Sequence, residues 1–172
     1  MNKLDSIYND YEYINIVDDI IFNNNFNKLK EERHHGLTRF DHSLRVSYYS
    51  YLIAKKMGFK YKDAARGGLL HDYFTMNELT TRKRSFSMFF HPYYAYNNAT
   101  KEFNLTDIEK DIIINHMFPT LPHKIPKYIE SWLISIVDKF IATYEFYISY
   151  GRPFAYKYAH IYVIILLISK GL

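Results

Sequence analysis

"GGLLHDYF", residues 67 to 74, decides how this chain is read. Leu69 and Leu70 run directly into His71 and Asp72, and the chain turns apolar again at Tyr73 and Phe74. An imidazole and a carboxylate thus sit side by side at the edge of a buried helical face. An unpaired carboxylate moved out of water is costly, so it is usually paired or bound to a metal. Asp72 therefore has either an ordinary partner or a role as a ligand.

Apolar residues recur at helical spacing on both sides of this stretch. "YEYINIVDDIIFNNNF" (11–26) sets Ile14, Val17, Ile20 and Ile21 on one face. A second helix is expected from near Asp41 to Gly58, a residue suited to the place just past a helix end, and a third from about Lys62 to Tyr73. The basic stretch "NELTTRKRSF" (77–86) reads as looser chain. A helix from about Pro92 to Phe103 follows. The next opens with the capping-box pair Thr106 and Glu109 and ends before Pro119. The longest amphipathic run, "HKIPKYIESWLISIVDKFIATYEFY", is expected to be helical from near Pro126, and a last helix follows Pro153. The pattern predicts an all-α bundle of about seven helices with short connections and no sheet beyond a stray hairpin.

The 172 residues suit one sizeable core, so residues 1–172 read as a single domain. The chain has no cysteine, which excludes disulfides and thiolate metal sites and leaves any metal to His, Asp and Glu. A net charge of +4 suits a small anionic substrate and is too weak to argue for nucleic acid. Met1 to Asp10 lacks the pattern of a signal peptide. "IYVIILLI" (161–168) is too short to span a bilayer and reads as a buried C-terminal helix or a homodimer contact. The expectation is a cytoplasmic protein with no membrane partner.

Six potential ligands fall on inward helical positions. His42 lies four before Val46, and His71 and Asp72 end the third helix. His91 precedes Pro92 at a helix start, and His116 comes four after Ile112 on its apolar stripe. Asp138 sits in "SIVDKF", four after Ile134 and three before Ile141. A lone histidine on an apolar face is more often a hydrogen-bonded core residue, His91 alone suits a helix start, and Asp138 alone could pair with a neighbouring Arg or Lys. Jointly they would bury six polar groups that each need a partner, and one shared metal site satisfies them together. Imidazole and carboxylate suit divalent transition metals such as Fe, Mn, Co, Ni or Zn.

"TRFDHSLRV" (38–46), "AARGGLLHDYF" (64–74) and "VDKF" (137–140), taken in order, resemble the HD superfamily of metal-dependent phosphohydrolases. The resemblance spans about residues 35 to 145. The family's His, His-Asp and distant Asp fall on His42, His71, Asp72 and Asp138. The two further histidines of its two-metal branches fall on His91 in "FFHPYYAYNNA" and His116 in "INHMFP". Arg39, three before the first ligand, is similar to the bacterial dinucleoside tetraphosphate hydrolase branch. There are two departures. The Lys that many members carry three after the Asp is Thr75 here, and no Gly-Tyr-Pro signature of cyclic dinucleotide phosphodiesterases occurs.

The resemblance implies one or two divalent ions. His42, His71 and Asp138 would hold one, His91 and His116 the other, and Asp72 would bridge them. It implies hydrolysis of a phosphoester or phosphoanhydride of a nucleotide or dinucleoside polyphosphate through a metal-bound hydroxide. Arg45, one turn after His42, and Lys139 are the expected phosphate-binding cations beside Asp72. Arg66 is less well aimed. "RKR" (82–84) would cap the substrate or be a solvated loop, and His34, His35 and His123 read as surface residues rather than as lining of the site's mouth. An HD-fold di-iron oxygenase and a degenerate metal- or nucleotide-binding module use the same fold and stand as alternatives.

Overall fold

The computed structural model describes residues 5–34 and 37–151. The expected helix after Pro153, with "IYVIILLI", lies outside the described residues. In chain order the helices are α1 (Asp5–Tyr8), α2 (Tyr11–Ile21), α3 (Asn24–Asn27), α4 (Arg39–Met57), α5 (Tyr61–Leu70), α6 (Thr81–Arg84), α7 (Ser87–Glu102), α8 (Asp107–Asn115) and α9 (Ile129–Phe146), with a π turn at Tyr147–Gly151. Arg33–His34 and Leu37–Thr38 pair antiparallel, with Arg33 opposite Thr38. The fold is all-α with this one hairpin among the described residues. No helix among them is long and apolar enough to cross a membrane.

Local chemistry sets most of the helix ends. Thr38 caps α4 by accepting the Asp41 amide at 3.1 Å, and Gly58 ends that helix in the left-handed region (φ 74°), which glycine enters without a Cβ clash. The Thr106–Glu109 capping box opens α8 as expected. Asn23 accepts the amides of Asn25 and Phe26 and starts a new helix, so the expected first helix is split into α2 and α3.

Three boundaries differ from expectation near the ligands. α5 stops at Leu70, because the Tyr73 amide turns back to the Leu70 carbonyl and the Phe74 amide to that of Asp72. His71 is therefore a helix cap and Asp72 lies in the turn beyond it. α7 starts at Ser87 and carries Pro92 inside, at the cost of one helical hydrogen bond. His91 is thus a helix residue rather than a helix start. α9 starts at Ile129, since the Lys127 amide donates to the Asp111 carboxylate at 2.9 Å instead of joining a helix from Pro126.

The core lies where α4 and α5 pack, with Tyr13, Val17 and Ile20 of α2, Leu44 and Tyr51 of α4, and Leu69 and Leu70 of α5 all buried. Gly67 and Gly68 let α5 approach three neighbours at once. A Cβ on Gly67 would lie 2.6 Å from Ile112 Cδ1 of α8. One on Gly68 would lie 2.9 Å from Ile134 Cδ1 of α9 and 3.0 Å from Ser47 Cα of α4. This close approach draws the ligand-bearing segments of four helices together.

Candidate metal centre

All six expected ligands are buried and converge. On one side, His42 Nε2 lies 3.1 Å and His71 Nε2 3.7 Å from Asp138 Oδ1. On the other, Asp72 Oδ1 lies 3.2 Å from His91 Nε2 and 3.7 Å from His116 Nε2. Two triplets have donor atoms close enough to share an ion, His42–His71–Asp138 and His71–Asp72–His116. His71 belongs to both. Its Nδ1 is engaged with the Gly68 carbonyl at 2.8 Å, so only Nε2 remains, and one lone pair serves one ion. The two triplets therefore compete for His71 unless Asp72 joins His91 and His116 as a separate set.

The donor chemistry suits a cation. His91 Nδ1 meets the Ser87 carbonyl at 3.0 Å, and His116 Nδ1 meets that of Ile113 at 2.9 Å. A carbonyl oxygen only accepts, so in both rings Nδ1 carries the proton and Nε2 presents a lone pair. Those two Nε2 atoms face each other at 2.9 Å. Only a shared proton or a metal ion between them relieves the contact. Burial, with the charges of Arg39 and His71 adding to it, lowers the His91 pKa. Burial, then His71 and His91, pushes that of His116 well below the ordinary range. A proton is thus disfavoured and a metal fits. His71 Nε2, buried with no hydrogen-bond partner among the described residues, fits it as well.

The His42 side is charged instead. Burial opposes charge on this ring, but hydrogen bonds to Asp138 and Glu145 outweigh it and raise its pKa to about 9. Burial works against the Asp138 carboxylate too, and the hydrogen bond and charge of His42, with His71 close by, hold its pKa well below the usual range.

The expected cations are placed differently from one another. Lys139 Nζ bonds Asp138 Oδ2 at 3.1 Å and the His116 carbonyl at 2.6 Å, and it lines the cavity over the ligands. Arg45 does not reach that cavity. Its guanidinium donates to buried Glu145 at 2.8 Å and walls a separate apolar groove with Tyr48, Ile53 and Phe140. The buried Glu145 carboxylate thus holds the Arg45 guanidinium away from the cavity beside which the sequence placed it. Arg66 pairs with Asp19 and Glu109. In "RKR", Arg84 donates to the Met76 and Leu79 carbonyls, Lys83 sits over Phe90 and Tyr94, and Arg82 is exposed; none of the three lines the cavity. His123 is exposed; the side chains of His34 and His35 lie outside the described residues.

Sequence reading left Arg39 without a role and missed Glu145 and Phe74. Arg39, 4 % exposed, donates to Asp72 Oδ2 at 3.0 Å and lies 3.9 Å over the Phe74 ring, which stacks on His91 at 5.3 Å. Asp72 thus turns one oxygen to Arg39 and the other to the histidines. Glu145 was within reach of the pattern, since Ile134, Asp138, Ile141 and Glu145 form one continuous stripe of α9. The cavity, about 360 Å³, is walled by Arg39, Phe74, Met88, His91, Thr120 and Lys139. A larger apolar groove of about 700 Å³ between α4 and α9 contains no such cluster of donors.

Residues 39–143 match the family model of the HD domain. No curated protein and no solved structure matches the chain.

Proposed function

The chain belongs to the HD-domain family, and from that premise we propose that it is a metal-dependent phosphohydrolase acting on a nucleotide or dinucleoside polyphosphate. The observation supporting this most directly is the convergence of four imidazoles and two carboxylates beneath a cavity flanked by two cations, Arg39 and Lys139. His42, His71 and Asp138 would hold one divalent ion, and Asp72, His91 and His116 a second. An ion held there acts as a Lewis acid toward a phosphoryl oxygen and lowers the pKa of the water it binds.

The chain's own groups supply the rest. Arg39 Nε is buried without a hydrogen-bond partner among the described residues, which suits a phosphate oxygen as acceptor. Its planar fork suits phosphate geometry, and its other arm keeps Asp72 oriented toward the histidines. Lys139 adds a point charge on the opposite wall. The family's Lys position holds Thr75, whose hydroxyl bonds Glu78 at 2.9 Å, so these two cations take the phosphate. At about 360 Å³ the cavity lies at the small end of ligand sites. It suits a phosphate with part of its ester group, and the remainder of a dinucleoside polyphosphate would extend into solvent. The same reading takes residues 1–172 as one domain.

The test is turnover of bis-nucleoside polyphosphates and simple nucleotides by protein loaded with Mn, Fe or Co, with and without O₂, alongside metal analysis. Hydrolysis that needs the metal and not O₂ is expected, and Arg39→Met should raise KM when measured at saturating metal. Metal-loaded protein that hydrolyses no phosphoester but consumes O₂ with an organic substrate would replace this reading with the oxygenase one.

A further inference from the structure

The four histidines of the centre are oriented by two different devices. His71 and His116 follow the last turns of α5 and α8, where backbone carbonyls have no helical amide to accept. Each ring bonds such a carbonyl three residues back, that of Gly68 or Ile113. His91 uses the carbonyl of Ser87, one turn earlier in α7. His42 lies in the first turns of a long helix, where the nearby carbonyls already serve helical amides. Its Nδ1 instead meets Glu145 Oε2, 2.7 Å away and 103 residues further along the chain.

Glu145 has no solvent exposure, and its second oxygen accepts from Arg45 at 2.8 Å. Its two oxygens are thus divided between the ring and the guanidinium. With Nδ1–H held by a carboxylate, Nε2 is left to face Asp138 and the proposed ion. An anionic acceptor also makes that nitrogen a stronger donor than a neutral carbonyl does.

We propose that Glu145 is a positioning residue for the metal: held by Arg45, it fixes the His42 ring and strengthens its Nε2 as a ligand, a charged support that the other three histidines lack. The inference rests on the reading of this cluster as a metal centre. It gives Arg45 a place behind the site, two bonds removed from the ligand, in place of one at the phosphate.

The experiment uses the full chain, stripped with chelator and titrated with Co²⁺, read by visible absorption and chelator competition. Wild type should bind cobalt. Glu145→Gln, which keeps an oxygen for Nδ1–H and loses the charge, should weaken the tighter equivalent about tenfold, and Glu145→Ala by about 100-fold. Both should shift the cobalt bands, a change that lost stability alone does not produce. Arg45→Gln, at a partly exposed position, should weaken the same equivalent by a few-fold and settles the matter if the Glu145 variants do not fold. Wild-type affinity and bands in the folded Glu145 variants, or in Arg45→Gln where those do not fold, would overturn the role of Glu145 alone. Absence of cobalt binding by wild type would overturn the metal centre with it.

Discussion

The two sides of the centre hold their ligands by opposite means. His42, His71 and Asp138 come from α4, α5 and α9, and on this side charge is dense: two carboxylates grip one imidazole from both nitrogens. Asp72 comes from the turn after α5, His91 from α7 and His116 from the cap of α8, and here neutral rings face one another while Arg39 draws off one Asp72 oxygen. One side holds an imidazole by charged partners from a helix packed along its length. On the other, both rings are held by backbone carbonyls alone. A single ligand chemistry is thus built on two kinds of local order, and the two should fail under different insults.

Ligand deletion separates them most sharply. Asp138→Ala removes the acid that faces both His42 and His71, and should cost more than about 100-fold in activity, because outer-shell partners alone account for 10–100-fold. His116→Ala should remove one of the two expected ions, with activity falling further than stability. Metal analysis and melting temperature of each variant check this. Metal content unchanged from wild type in either variant would remove that side from the centre.

Proton linkage should separate them next, in chelator-treated protein. His42, raised from 6.5 to about 9, contributes stability that is full below pH 6.5 and lost as pH rises through 9. The amount is on the order of 3 kcal/mol at most, from 1.36 kcal/mol per pKa unit. His91 and His116 are lowered. The unfolded chain takes up their protons first, and stability falls as pH drops below 6.5. The melting temperature should therefore peak near neutrality, and His42→Asn should abolish only the alkaline limb. A profile flat from pH 6 to 10 in the wild type would contradict the charge assigned to His42.

The smallest effect concerns the paired glycines. Gly68→Ala drives a Cβ toward the Ser47 backbone at 3.0 Å, on the His42 side, where backbone cannot give. Gly67→Ala meets the Ile112 side chain first, on the His116 side, whose Cδ1 at 2.6 Å can rotate away while its Cβ at 3.1 Å needs only a small shift. Overpacking costs about 1–3 kcal/mol, and Gly68→Ala should sit at the upper end. Thermal unfolding of the two variants decides; a larger loss for Gly67→Ala would reverse the order.

The helical architecture was legible because apolar spacing and caps such as Thr38 and Thr106 act locally. The six buried candidates were legible as inward polar positions with no thiolate to compete. What escaped depended on distant partners. Arg45 lies one helical turn from His42, and nothing near it in sequence shows that Glu145 holds it away from the cavity. The end of α5 depended on a turn at Leu70 that breaks no periodicity rule, so His71 and Asp72 were read as adjacent helix residues when they form a cap and a turn. Pro92 suggested a helix start, yet α7 absorbs it at the loss of one hydrogen bond.

His71 and His116 cap the C-terminal ends of α5 and α8, the parts of a helix that open first in local fluctuations. An ion that binds only the closed form adds RT ln(1 + [L]/Kd) to the free energy of every such opening. Amide exchange at these two helix ends should therefore slow in proportion to free metal, while the middle of α4 reports only global unfolding. The ligands that seem least supported would become, at working metal concentrations, the best-guarded ends in the molecule.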